Sequence, residues 1–594
     1  MATSGSARPS LESLSLSPKP GGKKITHYLP FLDWLVHYRR EDMVGDLLAG
    51  VIVAIMLVPQ GMAYAQLAGL PPQIGLYASI LPLIIYGLLG TSRTLAVGPV
   101  AIVSLLVATG VAPLADQGSA EYLQLALTLA FLVAVIQFVM GVVRAGFLVN
   151  FLSHPVVAGF TSAAAIVIGF SQLKHLIGVD IPRTHYFYEQ VLYATEHIFE
   201  SNVVTLIIGL GSIAVLFYFN HGLAKHLKKT GLPESVAMSV SKSGPLVVVL
   251  LGTVSVAAFG LFDWAGVKTV GDVPAGLPAI TLPVFDFNVV QLLLPTALAI
   301  SFVGFMESIS VAKSLASKRR QKVDADQELV ALGTANIGAA FTGGYPVTGG
   351  FSRSVVNFAA GANTGLASII TAVLVALTVI FLTPLFYYLP NAVLAAVIMV
   401  AVFGLIDVKT FKHVWSYNKA DAASMIITFI AVLAVGVETG ILAGVVATLL
   451  LFLWRTSRPH IAEVGRIGGT ELYRNVARHE VETWQQTVAI RVDGSLYFAD
   501  TKYLEDVVLQ VVADRPELKY FVLIGIAVNA IDASALETLE SLNHELHDAG
   551  VELHLAGFKG PITDRLRDIG FIDHIGPDRV HLSTHDAMKV LGCA

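Results

Sequence analysis

Apolar runs separated by short polar breaks fill the chain from about residue 46 to residue 455. Most have the roughly 17 to 25 residues needed to cross about 30 Å of hydrocarbon. Fourteen segments are read, near 46–67, 72–89, 96–110, 121–142, 155–177, 202–220, 243–261, 289–315, 326–341, 347–359, 364–388, 391–406, 421–437 and 440–455. The third, ninth and tenth are too short, or too interrupted by glycine, to be ordinary spanning helices. From about Ile461 the pattern changes. TVAIRVDGSLYFA and KYFVLIGIAVNAI read as strands, DASALETLESLNHELHDAG has helical apolar spacing with a glycine stop, and VELHLAGF is a further strand. The pattern predicts a polar, disordered cytosolic tail over 1–26, a transmembrane domain over 27–458 and a soluble α/β domain over 461–594.

Composition agrees with that division. Of 594 residues 55% are hydrophobic and 14% charged, which excludes a water-soluble home for most of the chain and implies a lipid bilayer around it. The net charge of −5 selects no partner and gives no sign of nucleic-acid binding. A single cysteine, Cys593, excludes an intramolecular disulfide and any multi-cysteine metal site. No cofactor or metal is expected, no enzyme chemistry is indicated, and the absence of a glycine-rich phosphate loop ending in Lys-Ser/Thr argues against an ATP-driven pump.

Positive residues in short loops stay on the cytosolic side. With the N-terminus inside, Arg39, Arg40, Arg93, Arg144, Lys225, Lys228, Lys318, Arg319, Arg320, Lys409, Lys412, Arg455 and Arg458 all fall in cytosolic segments, and Arg183 and Lys268 are the main exceptions. Both termini are therefore expected in the cytosol. Compact loops and the lack of a targeting segment favour a bacterial inner membrane. A gapless offset of 247 residues lays QGMAYAQ (60–66) on ESISVAK (307–313) and GPVA (98–101) on YPVT (345–348). Seven segments lie in each half, and an odd number inverts the second copy, so an inverted repeat is expected.

The candidate chemistry lies in AFTGGYPVTGGFSRSVVN, residues 340–357. Gly343-Gly344 permits non-helical backbone, Pro346 suits a first helical turn, and Thr348 is a candidate cap. AVGPVAIVSLL in the first half has a similar Gly-Pro lead-in, so two half-helices are expected to begin inside the bilayer and face each other. Each N-terminus carries about half a positive charge and unpaired N–H groups, which together favour an anion. A pair of Gly-Pro kinks in ordinary helices is the alternative. Arg353 is expected about 7 Å along the new helix from Thr348; an arginine at such depth costs about 2.5–3.5 kcal/mol and needs a partner or an anion. Glu307, in an otherwise apolar helix, is a candidate proton-coupling carboxylate or the ionised partner of Arg353 or Lys313. Gln60 and Tyr64, on the equivalent helix, are candidate substrate ligands or helix bridges.

LVPQGMAYAQLAGLPPQIGLYASILPLIIYGLLGTSRTLAVGPVAIVSLL resembles the signature region of the sulfate permease (SulP) family, and MESISVAKSLASKRRQKVDADQELVALGTANIGAAFTGGYPVTGGFSRSVVN is similar to its second-repeat core. NAIDASALETLESL resembles a STAS domain. The resemblance runs from about residue 27 to the end. It implies an α-helical membrane protein with a seven-plus-seven inverted repeat, a core domain that moves against a gate domain, a homodimer and a cytosolic STAS domain. Substrate would lie between the half-helices at Ala96, Val97, Gly98 and Ala101 and at Val347, Thr348, Gly349, Ser352 and Arg353. Glu307 falls on the position of glutamate in members that resemble proton-coupled sulfate transporters, so sulfate:proton symport is expected, with bicarbonate, dicarboxylate or chloride transport or exchange, or a regulated channel or signalling scaffold, as alternatives. Ser534 falls on the phosphorylatable serine of STAS antagonists, but Asp532-Ala533-Ser534-Ala535 departs from their Asp-Ser-Ser-Gly, and a helix start capped by Asp532 is the structural alternative.

Overall fold

The structure is a computed structural model that describes residues 29–147, 153–179, 187–229 and 240–593. The expected tail over 1–26 lies outside the described residues. The chain divides into two compact units, 1–447 and 448–594.

Among the described residues of the helical part, eight helices are long and apolar enough to cross a membrane, from Arg40–Leu67 to Thr439–Thr456. Ala101–Val111, Gly244–Phe259 and Leu366–Phe381 are apolar but shorter. Ala325–Phe341, Phe351–Ala359 and Lys419–Ala434 complete fourteen segments, seven before Phe287 and seven from it onward. Leu47, Leu48, Val51, Leu250, Leu251 and Val254 are exposed along these helices, as side chains that face lipid must be. The ninth segment, Ala325–Phe341, is an unbroken helix despite Gly333 and Gly338. The second, expected over 72–89, is a single apolar span, Pro72–Leu89, with a turn at Ala78–Ile80 between Pro72–Tyr77 and Leu81–Leu89.

Seven elements position the site: α1 (Arg40–Leu67), β1 (Val97–Gly98), α2 (Ala101–Val111), α3 (Phe287–Lys318), α4 (Ala325–Phe341), β2 (Thr348–Gly349) and α5 (Phe351–Ala359). β1 and β2 pair antiparallel, Val97 with Gly349 and Gly98 with Thr348. Each leads into a half-helix, and their antiparallel run is what an inversion of the two halves produces. The gapless offset of 247 residues does not survive here. The paired strands are related by 251 residues (348 less 97) and the half-helix starts by 250 (351 less 101), so the second half carries three or four extra residues before its strand.

Two buried carboxylates tie the scaffold together. Glu328 accepts from Tyr86 Oη (2.6 Å), Thr91 N (2.7 Å), Thr91 Oγ1 (2.6 Å) and Ser92 N (3.0 Å), fixing the segment that leads to β1. Asp46 accepts from Asn363 N (2.7 Å), Thr364 N (3.0 Å) and Thr364 Oγ1 (2.6 Å), just beyond α5.

The C-terminal unit contains a six-stranded sheet of order β4-β3-β5-β6-β7-β8: β3 (Ile461–Arg466), β4 (Tyr473–Asn475), β5 (Thr487–Val492), β6 (Tyr520–Ile524), β7 (Glu552–Ala556) and β8 (Val580–His581). β5 to β8 are parallel, and β3 runs antiparallel to both neighbours. Alternation decides the two faces. Val488, Ile490, Phe521, Leu523, Leu553 and Leu555 meet the helices that follow β5, β6 and β7, whereas Ala489, Val522, Ile524 and Ala556 meet Met588.

Candidate anion site between the half-helices

Two residues beyond the end of α4, Gly343 sits at φ +66°, a left-handed position that glycine adopts without strain, and Gly344 N donates to Ala339 O (2.8 Å). The chain then runs extended through Tyr345, Pro346 and Val347 into β2. Pro346 is thus not in the first helical turn and Thr348 is not the cap. α5 begins at Phe351 with extended Gly350 before it, because the backbone of Thr348 and Gly349 is already committed to β1. Thr348 Oγ1 donates to Gly304 O (2.7 Å), and Ser308 Oγ accepts from Gly349 N (2.8 Å) and lies 2.8 Å from Thr348 Oγ1. β2 is therefore fastened to α3.

Other ties hold the lead-ins in register. Asn336 Nδ2 donates to Val347 O (3.0 Å) while its Oδ1 accepts from Val347 N (2.8 Å). Gly350 N donates to Ala96 O (3.0 Å), Ala96 N donates to Ser354 Oγ (2.9 Å), and Asn357 Nδ2 donates to Thr94 O (3.0 Å). Each half-helix thus begins at a fixed place beside the other half's strand.

Arg353 is the third residue of α5, nearer the helix start than expected, and is only 2% exposed. Its Nη1 donates to Pro99 O (2.6 Å), whereas Nε and Nη2 are buried with no hydrogen-bond partner. A Cβ added to Gly350 would lie 2.9 Å from Nη2, and one added to Gly98, at φ +150°, would lie 3.4 Å from it. The guanidinium accordingly occupies the gap between the two lead-ins, which glycine leaves open. Buried donors are rarely left unpaired, because each costs about 1–3 kcal/mol or more when charged.

The charges of Glu307 and Arg353 interact, and Tyr64 and Tyr345 share that field. Glu307 Oε2 is buried without a hydrogen-bond partner, and no ion pair within 4 Å closes between Glu307 and Arg353. Lys313, the other possible partner from sequence, is not joined to Glu307 either. Gln60 and Tyr64 are 6% and 7% exposed and one turn apart on α1. Tyr345 Oη lies 2.9 Å from Ser104 Oγ of α2. Ala101 opens α2 and is buried, as are Val97 and Val347; Ser352 is exposed. Ser308, Tyr345, Ser104, Ser354 and Asn336 were not singled out from sequence. A cavity of about 810 Å³, lined in part by Gln66, Leu105, Thr109 and Val432, comes within one helical turn of Ala101, since Leu105 is four residues along α2.

In the C-terminal unit Ser534 is exposed at the second position of the helix Ala533–Asp548. Asp532 caps that helix through Ala535 N (2.9 Å) and also accepts from Phe498 N (2.8 Å).

Residues 43–428 match the sulfate permease family, and residues 478–587 match the STAS domain. The chain belongs to the sulfate permease family. It is thus an integral membrane anion transporter with a STAS domain, and not an enzyme. The chain is 36% identical over 578 residues to a probable sulfate transporter 4.2 of Arabidopsis thaliana, covering 95% of this chain and 84% of the relative. It is 32% identical to high affinity sulfate transporter 2 of Stylosanthes hamata, covering 96% and 87%. Its fold is similar to that of the solved structure of SLC26A9, with a TM-score of 0.88 and 25% identity over 96% of this chain and 93% of the other. The transmembrane domain of a cyanobacterial bicarbonate transporter, BicA, shares the fold over 69% of this chain and 98% of its own, with a TM-score of 0.58 and 23% identity.

Proposed function

We propose that this protein carries sulfate inward together with protons. The observation that carries the reading is Arg353, whose two buried, unpartnered donor nitrogens lie beside the starts of both half-helices. A tetrahedral dianion offers these donors acceptors, and the helix starts add positive potential without further basic side chains. Gln60 and Tyr64 supply polar groups from α1, and the backbone from Ala96 to Ala101 and from Val347 to Ser352 frames the anion. Selection of sulfate rests on relatives named as sulfate transporters that match this chain along almost its whole length.

Glu307 supplies the coupling. Ionised, it offsets the charge of Arg353 and weakens the pull on an anion; protonated, it leaves that charge to the substrate. Proton and anion then favour one another's binding, and neither is carried well alone. Transport follows when the core unit that holds β1, β2 and the half-helices moves against the gate in a homodimer, with both termini in the cytosol. The distribution of lysine and arginine supports that orientation. The expected bacterial inner membrane has no further support, since the matching full-length relatives named above are plant proteins.

Uptake of radiolabelled sulfate into proteoliposomes under an inward proton gradient, with and without sodium, tests the reading. Proton-driven, sodium-independent accumulation supports it. Accumulation that needs sodium, or that is seen only with bicarbonate, chloride or dicarboxylates, replaces the substrate or the coupling ion.

A further inference from the structure

We propose that the STAS domain has an anion site of its own, a phosphate-binding cavity on the β3–β4–β5 edge of its sheet. A cavity of about 300 Å³ is lined by His460, Arg474, Asn475, Arg478, His479 and Arg491, with no carboxylate among them. The cavity wraps around the sheet edge. Asn475, opposite Val464, and Arg491, opposite Ala462, share one face across β3, whereas Arg474, opposite Gly465, starts from the other face of the edge strand. After β4 the chain turns on Asn475, whose backbone carbonyl accepts from Arg478 N (3.1 Å) and His479 N (3.2 Å), which keeps both residues beside the end of β4 where they line the cavity.

The cations differ in how they are used. Arg491 donates to both oxygens of Asp493 (2.5 and 2.9 Å), and His460 Nδ1 lies 2.8 Å from the same carboxylate. Arg474 and Arg478 form no ion pair and no side-chain hydrogen bond. Two unpaired guanidinium forks and an asparagine amide therefore face a space large enough for a phosphate group. A planar fork matches the oxygens of a tetrahedral oxyanion, and a phosphate is its strongest common partner.

Chain length gives the source. The last apolar helix ends at Thr456 with exposed Trp454, and Arg458 stacks over that indole at 5.6 Å from the ring centroid. Tryptophan and arginine at a helix end mark the level of the lipid headgroups. His460 is four residues on, within about 14 Å for a fully extended chain. The cavity lies within reach of membrane phosphate, so a headgroup is the favoured source and a soluble phosphate the other.

The test is calorimetric titration of the purified full chain in uncharged detergent with two probes, inorganic phosphate and a soluble short-chain phosphatidylglycerol. Wild type, R474Q/R478Q and R474K/R478K are compared. At least one probe is expected to bind saturably, with affinity lowered about tenfold or more in the glutamine variant and partly recovered by lysine, which keeps the charge but not the fork. Binding of the phospholipid alone assigns the site to a headgroup; comparable binding of phosphate assigns it to a soluble anion. Absence of binding to wild type by both probes, or equal binding to wild type and R474Q/R478Q, overturns the proposal.

Discussion

Two residues divide the chemistry of the proposed anion site, and they predict different failures. Arg353 holds unpaired donors between the lead-ins, so under the proposed function Arg353→Ala removes the charge-assisted bonds offered to the substrate. Uptake efficiency should fall at least about tenfold, measured as initial rate against sulfate concentration at equal protein incorporation. Wild-type kinetics would make the arginine a structural strut. Glu307→Gln keeps the shape of the carboxyl and removes its titration. Uptake by this variant should lose most of its dependence on external pH while sulfate exchange persists; an unchanged pH profile would remove the coupling role. Both residues were legible in sequence as charges inside apolar segments. Asn336 and Ser354 were not, because each looks like an ordinary polar helix residue. Their roles appear only when chain 11 residues away, at Val347, or 258 residues away, at Ala96, is brought alongside.

Among elements, the closest approach is between α1 and the short helix Pro72–Tyr77, where a Cβ on Gly75 would lie 1.9 Å from Gly61 O. Backbone cannot yield as a flexible side chain does. Gly75→Ala should therefore cost about 1–3 kcal/mol or more, visible as a lower unfolding temperature of the detergent-solubilised chain. At the sheet edge, His554 of β7 stacks on His581 of β8, with Nδ1 3.0 Å from Nε2. Burial, then the neighbouring His581 and Arg579, lowers the pKa of His554 from 6.5 to about 4. The unfolded chain therefore binds the proton first, and the stabilisation present above about pH 6.5 is lost as pH falls toward 4. Hydrogen exchange at residues 552–556, corrected for the intrinsic rate, should rise over that window in wild type and stay flatter in His554→Gln. The misplaced start of α5 belongs to this scale too. Local signals favoured Pro346 and Thr348, but pairing with a strand from the other half won, and no local signal encodes a partner so far away.

For the whole molecule, orientation can be read directly, because the sole cysteine, Cys593, is easily removed. In a Cys593→Ser background, Asp116→Cys should react with a membrane-impermeant maleimide on intact cells, and Lys322→Cys only after permeabilisation. The reverse pattern would invert the topology. The number of apolar segments and the change to an α/β pattern near Ile461 were legible because membrane and soluble units impose different hydrophobic periods. The register between the halves was not, since inserted residues before β2 leave the hydrophobic pattern intact. That two-residue ribbon has a consequence for biosynthesis. β1 leaves the ribosome 251 residues ahead of the strand that completes it (348 less 97), which at about 5–20 residues per second is a delay of roughly 10–50 s. Throughout that interval the first half waits in the bilayer with its half-helix unmatched, so the ribbon cannot close until the second half arrives, and a chain truncated before residue 348 would present insertion machinery and quality control with an orphaned strand.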